Sequence, residues 1–334
     1  MKRTVFYLFP VLLIVLIVFT RCNTAPVKIG FLLHSLSHDR WERDKQYIIE
    51  NIEALGGEVV FRLANNDQEL QNRQAKELID LGVDVLVVVA SDQDRAADIV
   101  HMAHENNVKV VAYDRLIKNC DLDFYVSTNS VRVGELQAEY MISDTPKGNY
   151  GLILGDEHDN NALMLFIGQM NKLHDKVESG DIRIVYSEYT NSWTPEEGYR
   201  CTKEILDQNE NKIDVIIAGS DELAYGVLQA LQEVGMLGQV GIVSQDADLE
   251  IVREIVKNNH SATIFKPLGE MAKKAVEVAF KLARNKKIEK DYSTVSNGKR
   301  LVPAYELSPI LVNKDNIIST VVAAGYYRSE EIYQ

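Results

Sequence analysis

Short apolar runs alternate along this chain with longer stretches in which apolar residues recur every three or four positions. The first pattern marks strands buried on both faces of a parallel sheet, and the second marks amphipathic helices. Val27 to Leu33, Glu58 to Ala64, Val83 to Val89, Val108 to Ala112 and Phe124 to Ser127 read as strands. Between them, Trp41, Ile48, Ile52 and Leu55 keep helical spacing up to Gly56-Gly57, and helices follow over Leu70 to Leu81 and Ala96 to Asn106.

The alternation then begins again. Asn149 to Leu154, Ile182 to Tyr189, Ile213 to Ala218, Val240 to Val243 and Ala262 to Phe265 read as strands. Helices are predicted over Asn160 to Val177, Pro195 to Gln208, Leu223 to Val234, Leu249 to Lys257 and Leu268 to Arg284. Thr194-Pro195-Glu196-Glu197 is a helix start, with Thr as cap and Pro in the first position. A tail from Leu301 to Val312 has strand character. Two successive sets of βα units predict an α/β chain of two Rossmann-like lobes, each with a parallel sheet. No Pro- or Ser-rich hinge separates them, so the lobes are expected to be joined within structure.

Composition narrows the setting. The 334 residues suit two domains, and the 46% apolar content supports real cores. A formal charge of −13 without a basic cluster argues against nucleic acid or an anionic membrane surface as partner. Lys2 and Arg3 precede the apolar run Val5 to Phe19, a secretory signal pattern short for a transmembrane helix. Loss of Lys2, Arg3 and Arg21 with that segment would take the charge to −16. Of the remaining cysteines, Cys120 and Cys201 are expected to be free thiols.

The candidate chemistry gathers behind the strands, where ligands bind in open α/β sheets. Asp39, Arg40, Trp41 and Arg43 follow the first strand, and Asp114-Arg115 end the fourth. Asp159, Asn160 and Asn161, then Trp193, then Ser220-Asp221, then Gln245, Asp246 and Asp248, then Lys266 occupy the same place in the second set. A carboxylate accepts from hydroxyls and a guanidinium donates to them, so mixed Asp, Asn, Arg and Lys suit a neutral, polyhydroxylated molecule. Both tryptophans of the chain fall on this edge, where an indole face packs against the C–H face of a sugar ring. Plainer readings stand beside these: Asp114-Arg115 as an ion pair, Asn160 or Asp221 as helix caps, Asp246 to Asp248 as a helix-start cluster, Trp41 as core. Gly-x-Gly-x-x-Gly, Walker-type Gly-Lys-Ser/Thr and Gly-x-Ser-x-Gly motifs are absent, and the His and Cys spacings form no metal site. An enzyme is therefore not expected, nor a cofactor or metal.

Several ordered stretches resemble the periplasmic sugar-binding proteins of ABC importers, of the ribose/galactose/xylose class. They are Asp39-Arg40-Trp41-Glu42-Arg43-Asp44, Val110-Val111-Ala112-Tyr113-Asp114-Arg115, Phe124-Tyr125-Val126-Ser127 and Val133-Gly134-Glu135-Leu136-Gln137-Ala138, followed by Asp159-Asn160-Asn161-Ala162, Asn211-Lys212-Ile213-Asp214, Gln245-Asp246-Ala247-Asp248-Leu249 and Lys266-Pro267. The resemblance runs from Val27 to about Arg328. It implies a type I periplasmic binding protein fold with three hinge crossings, near Asn129, Lys266 and Tyr305. One lobe would comprise 27–129 and 267–305, the other 130–266 and 306–334.

By position, Arg40, Trp41, Arg43, Asp114 and Arg115 would hold a sugar, D-xylose above others, from the first lobe. Asp159, Asn160, Asn161, Trp193, Asp246 and Lys266 would hold it from the second lobe and hinge. Ser220-Asp221 stands where the family usually has Asn-Asp, and Arg43 where Lys is common. Cys22, directly after the signal, resembles a lipidation site, although Arg21 and Phe19 depart from that pattern and leave an uncleaved anchor as the alternative. Either places the folded part outside the cytoplasmic membrane, lipid-anchored or signal-anchored. The implied partner is an ABC permease, or else a membrane sensor kinase; a repressor's effector domain would need a DNA-binding segment in place of the signal.

Overall fold

The computed structural model describes residues 25–334; the signal segment and Cys22 lie outside these. Elements follow in the order β1 (Lys28–Leu33), α1 (Asp39–Ala54), β2 (Glu58–Leu63), α2 (Gln68–Asp80), β3 (Val85–Val88), α3 (Ala97–Glu105), β4 (Lys109–Tyr113) and β5 (Phe124–Thr128). Next come α4 (Ser130–Asp144), β6 (Gly148–Asp156), α5 (Asn160–Glu178), β7 (Ile182–Thr190), α6 (Pro195–Gln208), β8 (Val215–Ala218), α7 (Asp221–Glu233), β9 (Gly241–Val243), α8 (Leu249–Val256) and β10 (Ala262–Phe265). The chain ends with α9 (Leu268–Ala283), β11 (Ser293–Ser296), β12 (Leu301–Leu307), β13 (Ile310–Asn313), a π-helical turn at Ile318–Val322 and α10 (Ser329–Ile332). No described helix is long and apolar enough to cross a membrane.

Two sheets result. One has seven strands in the order β11-β12-β5-β4-β3-β1-β2, the other six in the order β13-β10-β9-β8-β6-β7. Both are parallel except at β11 and β13, which pair antiparallel with β12 and β10. The unbroken apolar runs are explained by burial on both faces. In β3, Val85 and Val87 join the core under α1 and α9, while Leu86 and Val88 join the core under α2 and α3. In the second sheet Leu152 and Ile217 face α4 and α5, and Ile153 and Ile216 face the opposite side with Ile205, Val227 and Ile251. Cys120 and Cys201 are buried, one in each lobe's core, and both are free thiols as the sequence led us to expect.

The chain passes between the sheets three times: from β5 through Asn129 into α4, from β10 through Lys266-Pro267 into α9, and from β12 through Ser308-Pro309 into β13. The last passage lies beyond Tyr305, because Glu306 and Leu307 still pair with Ser127 and Thr128. Asn129 caps α4 by accepting from the Arg132 amide at 2.8 Å and ties its own amide to Leu307 O at 2.9 Å, so two passages are bonded to each other.

Two elements carry no legible pattern in the sequence. Helix α4 packs on α5 along one side and on β8, β9 and β10 along another, so Val133, Gly134, Gln137, Ala138 and Met141 are all buried and blur a single apolar stripe. Strand β11 is a polar, largely exposed edge strand, Ser-Thr-Val-Ser, without alternation.

Glycine sets the helix spacing of the second lobe. A Cβ on Gly226 of α7 would lie 2.0 Å from the Pro195 carbonyl oxygen, and one on Gly198 of α6 would lie 2.0 Å from the Leu223 carbonyl oxygen. Backbone therefore touches backbone, and no rotamer change can make room. Gly226→Ala is expected to lower unfolding stability by about 1–3 kcal/mol, the usual cost of overpacking; an unchanged denaturant midpoint would show that the two helices separate freely.

Candidate functional site

The site is built where the carboxyl ends of both sheets face one another, and Arg40 stands at its centre. This first-turn residue of α1 is 6% exposed. Its Nε lies 3.3 Å from Asp44 Oδ2, Nη2 donates to Asp114 Oδ1, and Nη1 reaches across the cleft to Asp246 Oδ1 at 3.0 Å. Lys266 Nζ meets the same Asp246 oxygen at 3.0 Å. Burial would raise the carboxyls of Asp114 and Asp246, but the surrounding cations outweigh it and hold both below the usual carboxylate range: chiefly Arg40, with Lys266, at Asp114, and chiefly Lys266, with Arg40, at Asp246. Both stay ionised, and the cluster is held by balanced charge.

Local backbone aims these side chains. Asp114 has a φ of 62°, a left-handed conformation that Asp tolerates. Its amide donates to Val126 O at 2.8 Å, while Tyr125 and Ser127 each donate a hydroxyl to its carbonyl at 2.9 Å. The reversal sends the Asp114 and Arg115 side chains into the cleft instead of along the sheet. Asp246 and Ala247 repeat the device after β9, with φ of 111° and 57°. Strained backbone of this kind is retained where surrounding structure over-determines it.

Further contacts join the lobes. Asn161 donates Nδ2 to Asp114 O at 3.2 Å and to its Oδ2 at 3.3 Å. Arg115 Nε lies 3.0 Å from Asp159 Oδ2, and His38 Nδ1 lies 2.6 Å from Glu222 Oε1. Burial raises the Asp159 carboxyl, and Arg115 offsets part of that rise.

Two tryptophans border the same space. Trp41 is 4% exposed, belongs to the first lobe's core, as its plainer reading expects, and also lines the cleft. The Arg40 guanidinium lies 4.2 Å from the centre of its ring. Trp193 rests on backbone: a Cβ on Gly155 or Gly219 would approach its indole to 2.2 and 2.9 Å. Its Nε1 is buried and has no hydrogen-bond partner among the described residues. An orphan donor on an aromatic wall suits a ligand that presents an acceptor.

Of the residues singled out from sequence, Arg40, Trp41, Asp114, Arg115, Asp159, Asn161, Trp193, Ser220, Asp246 and Lys266 line one pocket. Asp39, Arg43, Asn160 and Asp221 do not line it. Arg43 points to the C-terminal tail, where it stacks on Tyr326 and Tyr327 at 4.5 and 4.8 Å and donates to Tyr326 O at 3.2 Å. Although three positions after Arg40 and so close to it on the helix surface, its side chain is drawn to the tail by these tyrosines. Asp221 is fully buried behind the pocket, accepting from Ser244 Oγ, from Thr263 Oγ1 at 2.8 Å and from the Asp248 amide at 2.7 Å. Asn160 is the first residue of α5, buried beside its cap.

The caps themselves sit one residue earlier than the candidates: Asp159 accepts from the Asn161 amide at 2.9 Å, and Ser220 from the Leu223 amide at 3.2 Å. His38, Glu222, Gln245 and Asp248 complete the lining. Gln245 and Asp248 stood among the strand-end polar residues, and Gln245 is fixed by donating Nε2 to Gly219 O at 2.7 Å. His38 and Glu222 follow strand ends too, but nothing in their sequence context separates them from solvated loop residues.

Comparison with known proteins assigns the fold to a family. A family model described as a periplasmic binding protein domain matches residues 29–287. D-xylose-binding periplasmic proteins of Haemophilus influenzae and Escherichia coli are each 38% identical, over 93% and 92% of both chains respectively. A carbohydrate transporter solute-binding protein from Chloroflexus aurantiacus, solved in complex with D-glucose, superposes with a TM-score of 0.85 at 26% identity, covering 91% of this chain and 97% of that one. The chain belongs to the periplasmic binding proteins, among the sugar receptors of ABC importers.

Proposed function

We propose that the cleft takes a monosaccharide, D-xylose before others, and that the closed form delivers it to an ABC permease. The observation that carries this reading is the charge-balanced cluster Arg40–Asp114–Asp246–Lys266, drawn from both lobes and walled by Trp41 and Trp193. Each charge already has its counter-charge, so a charged ligand would upset the balance, whereas hydroxyls can use the remaining donors and acceptors. The relatives at 38% identity are D-xylose-binding proteins, which favours a pentose.

Shared binding explains closure. A sugar touching Asp114 and Asn161 at once binds the closed arrangement better than the open one and shifts the population toward it. Ser220 supports the same assignment with a different detail. Its oxygen is engaged as the cap of α7, which leaves its proton for an outward bond. A tether through lipid on Cys22 fits a receptor of this type, and an uncleaved leader segment would serve the same end. A sensor feeding a membrane kinase would use the same site, and the Arg21-Cys22 junction, atypical for a lipoprotein, favours a non-standard tether.

Calorimetry of the domain from residue 25 onward against pentoses and hexoses tests the reading. D-xylose is expected to bind at micromolar Kd or tighter, about −8 kcal/mol or better; heat only from an amino acid or nucleoside would sink it. Trp193→Ala is expected to weaken xylose by roughly 2 kcal/mol or more, as for buried aromatic anchors, with little change in thermal unfolding. Large destabilisation with intact affinity would make Trp193 a core residue instead.

The acids of the second lobe make stability depend on pH. Burial, then the neighbouring Asp246 and Glu222, push the Asp248 carboxyl up to about 8. The unfolded chain releases that proton near pH 3.9, so the native state binds more protons between these values and stability falls as pH rises through them. Asp248→Asn is expected to lose less melting temperature than the parent between pH 5 and 8, with a constant difference at higher pH. Parallel profiles throughout would mean that Asp248 is ionised in the fold.

A further inference from the structure

A second polar space opens beside the sugar pocket. It has a volume of about 230 Å³, is connected to solvent, and shares His38, Arg115 and Trp193 as a common wall with the pocket. Its floor comes from the strand ends of the first lobe, His34 after β1, Asn66 after β2 and Ser91 after β3; its roof is Asp156, His158 and Ser192 of the second. Apart from Trp193 this lining is polar. His34 is 2% exposed, yet its Nδ1 has no hydrogen-bond partner among the described residues, and the buried Ser91 Oγ has none either. Burial, then the nearby Arg115, holds the His34 ring well below its ordinary pKa, so at neutral pH it is an uncharged group able to accept or donate. Buried polar atoms left unpaired in a protein interior call for a partner.

We infer that this antechamber is a second saccharide subsite: with one ring in the pocket, a glycosidically linked second ring lies past Trp193 over His34 and Ser91. A polar, hydroxyl-bearing occupant fits the lining, and an alkyl or aryl group does not. The inference rests on the monosaccharide reading of the pocket. It widens the ligand class from free sugars to disaccharides.

The test titrates the domain from residue 25 onward with xylose, glucose and their α- and β-linked disaccharides. At least one disaccharide is expected to bind within about tenfold of its monosaccharide. Ser91→Phe, which fills the space, and His34→Phe, which removes the unpaired nitrogen with little change in volume, are each expected to weaken that disaccharide tenfold or more and to move the monosaccharide less than twofold. Because the two substitutions act differently, misfolding of one leaves the other informative, and retained monosaccharide binding certifies the fold. Monosaccharide binding with every disaccharide more than a thousandfold weaker overturns this inference and leaves the proposed function standing. Disaccharide binding that neither substitution alters also overturns it. If no sugar of either size binds, both readings fall together.

Discussion

The structure turns on one buried guanidinium. Arg40 is satisfied only when Asp44 and Asp114 of its own lobe and Asp246 of the other surround it. Taking such a charge out of water costs several kcal/mol, which the partners offset only in good geometry. That requirement fixes much of the neighbourhood: the left-handed backbone at Asp114, the positive φ at Asp246, and Lys266 sharing the Asp246 oxygen. The partner Asp44 is itself raised to about 6, because burial outweighs the help it receives from Arg40 and from the Tyr113 hydroxyl. A network of this kind adds little to net stability, but it specifies one docking of the lobes. Opening the cleft breaks the Arg40–Asp246 bond but lets water reach both groups, so it is the closed position that this network defines.

The division of labour between lobes follows from sheet geometry. Parallel strands bring all their carboxyl ends to one edge, so residues remote in sequence meet without long loops. The first lobe supplies the guanidiniums Arg40 and Arg115 with Asp114, and the second supplies Asp159, Asn161, Trp193 and Asp246. Glycines decide how near the aromatic wall can come: Gly155 and Gly219 let Trp193 lie on backbone.

The sequence made strands legible because they are buried on both faces, and it made most helices legible because they are buried on one. Helix α4 fails that rule, being covered by α5 and by the sheet, and β11 fails it by being covered by almost nothing. At the site, residue type and strand-end position were enough to find Arg40, Asp114, Arg115, Asn161 and Trp193. They could not resolve which way a helix residue's side chain is drawn, as Arg43 shows, nor separate a lining residue from one buried behind it, as Ser220 and Asp221 show. Those distinctions depend on tertiary packing, and single-sequence periodicity carries no information about it.

The pairing of β12 with β5 has a consequence for how the protein is made. Tyr125 pairs with Ala304 and Thr128 with Leu307, so the first lobe's sheet takes in strands from near the chain's end, with the entire second sheet's β6 to β10 threaded between. A contact of such long sequence separation is slow to form, since its loop entropy must be overcome before the pairing is rewarded. Five of the second sheet's six strands, β6 to β10, are consecutive and can assemble while the first sheet still lacks β12, although β10 still awaits β13. Until then, β5 presents an open edge, an aggregation hazard in any folding intermediate. Maturation of this receptor is therefore gated by its last strands, and a truncation before residue 301 would leave both sheets incomplete, the first without β12 and the second without β13.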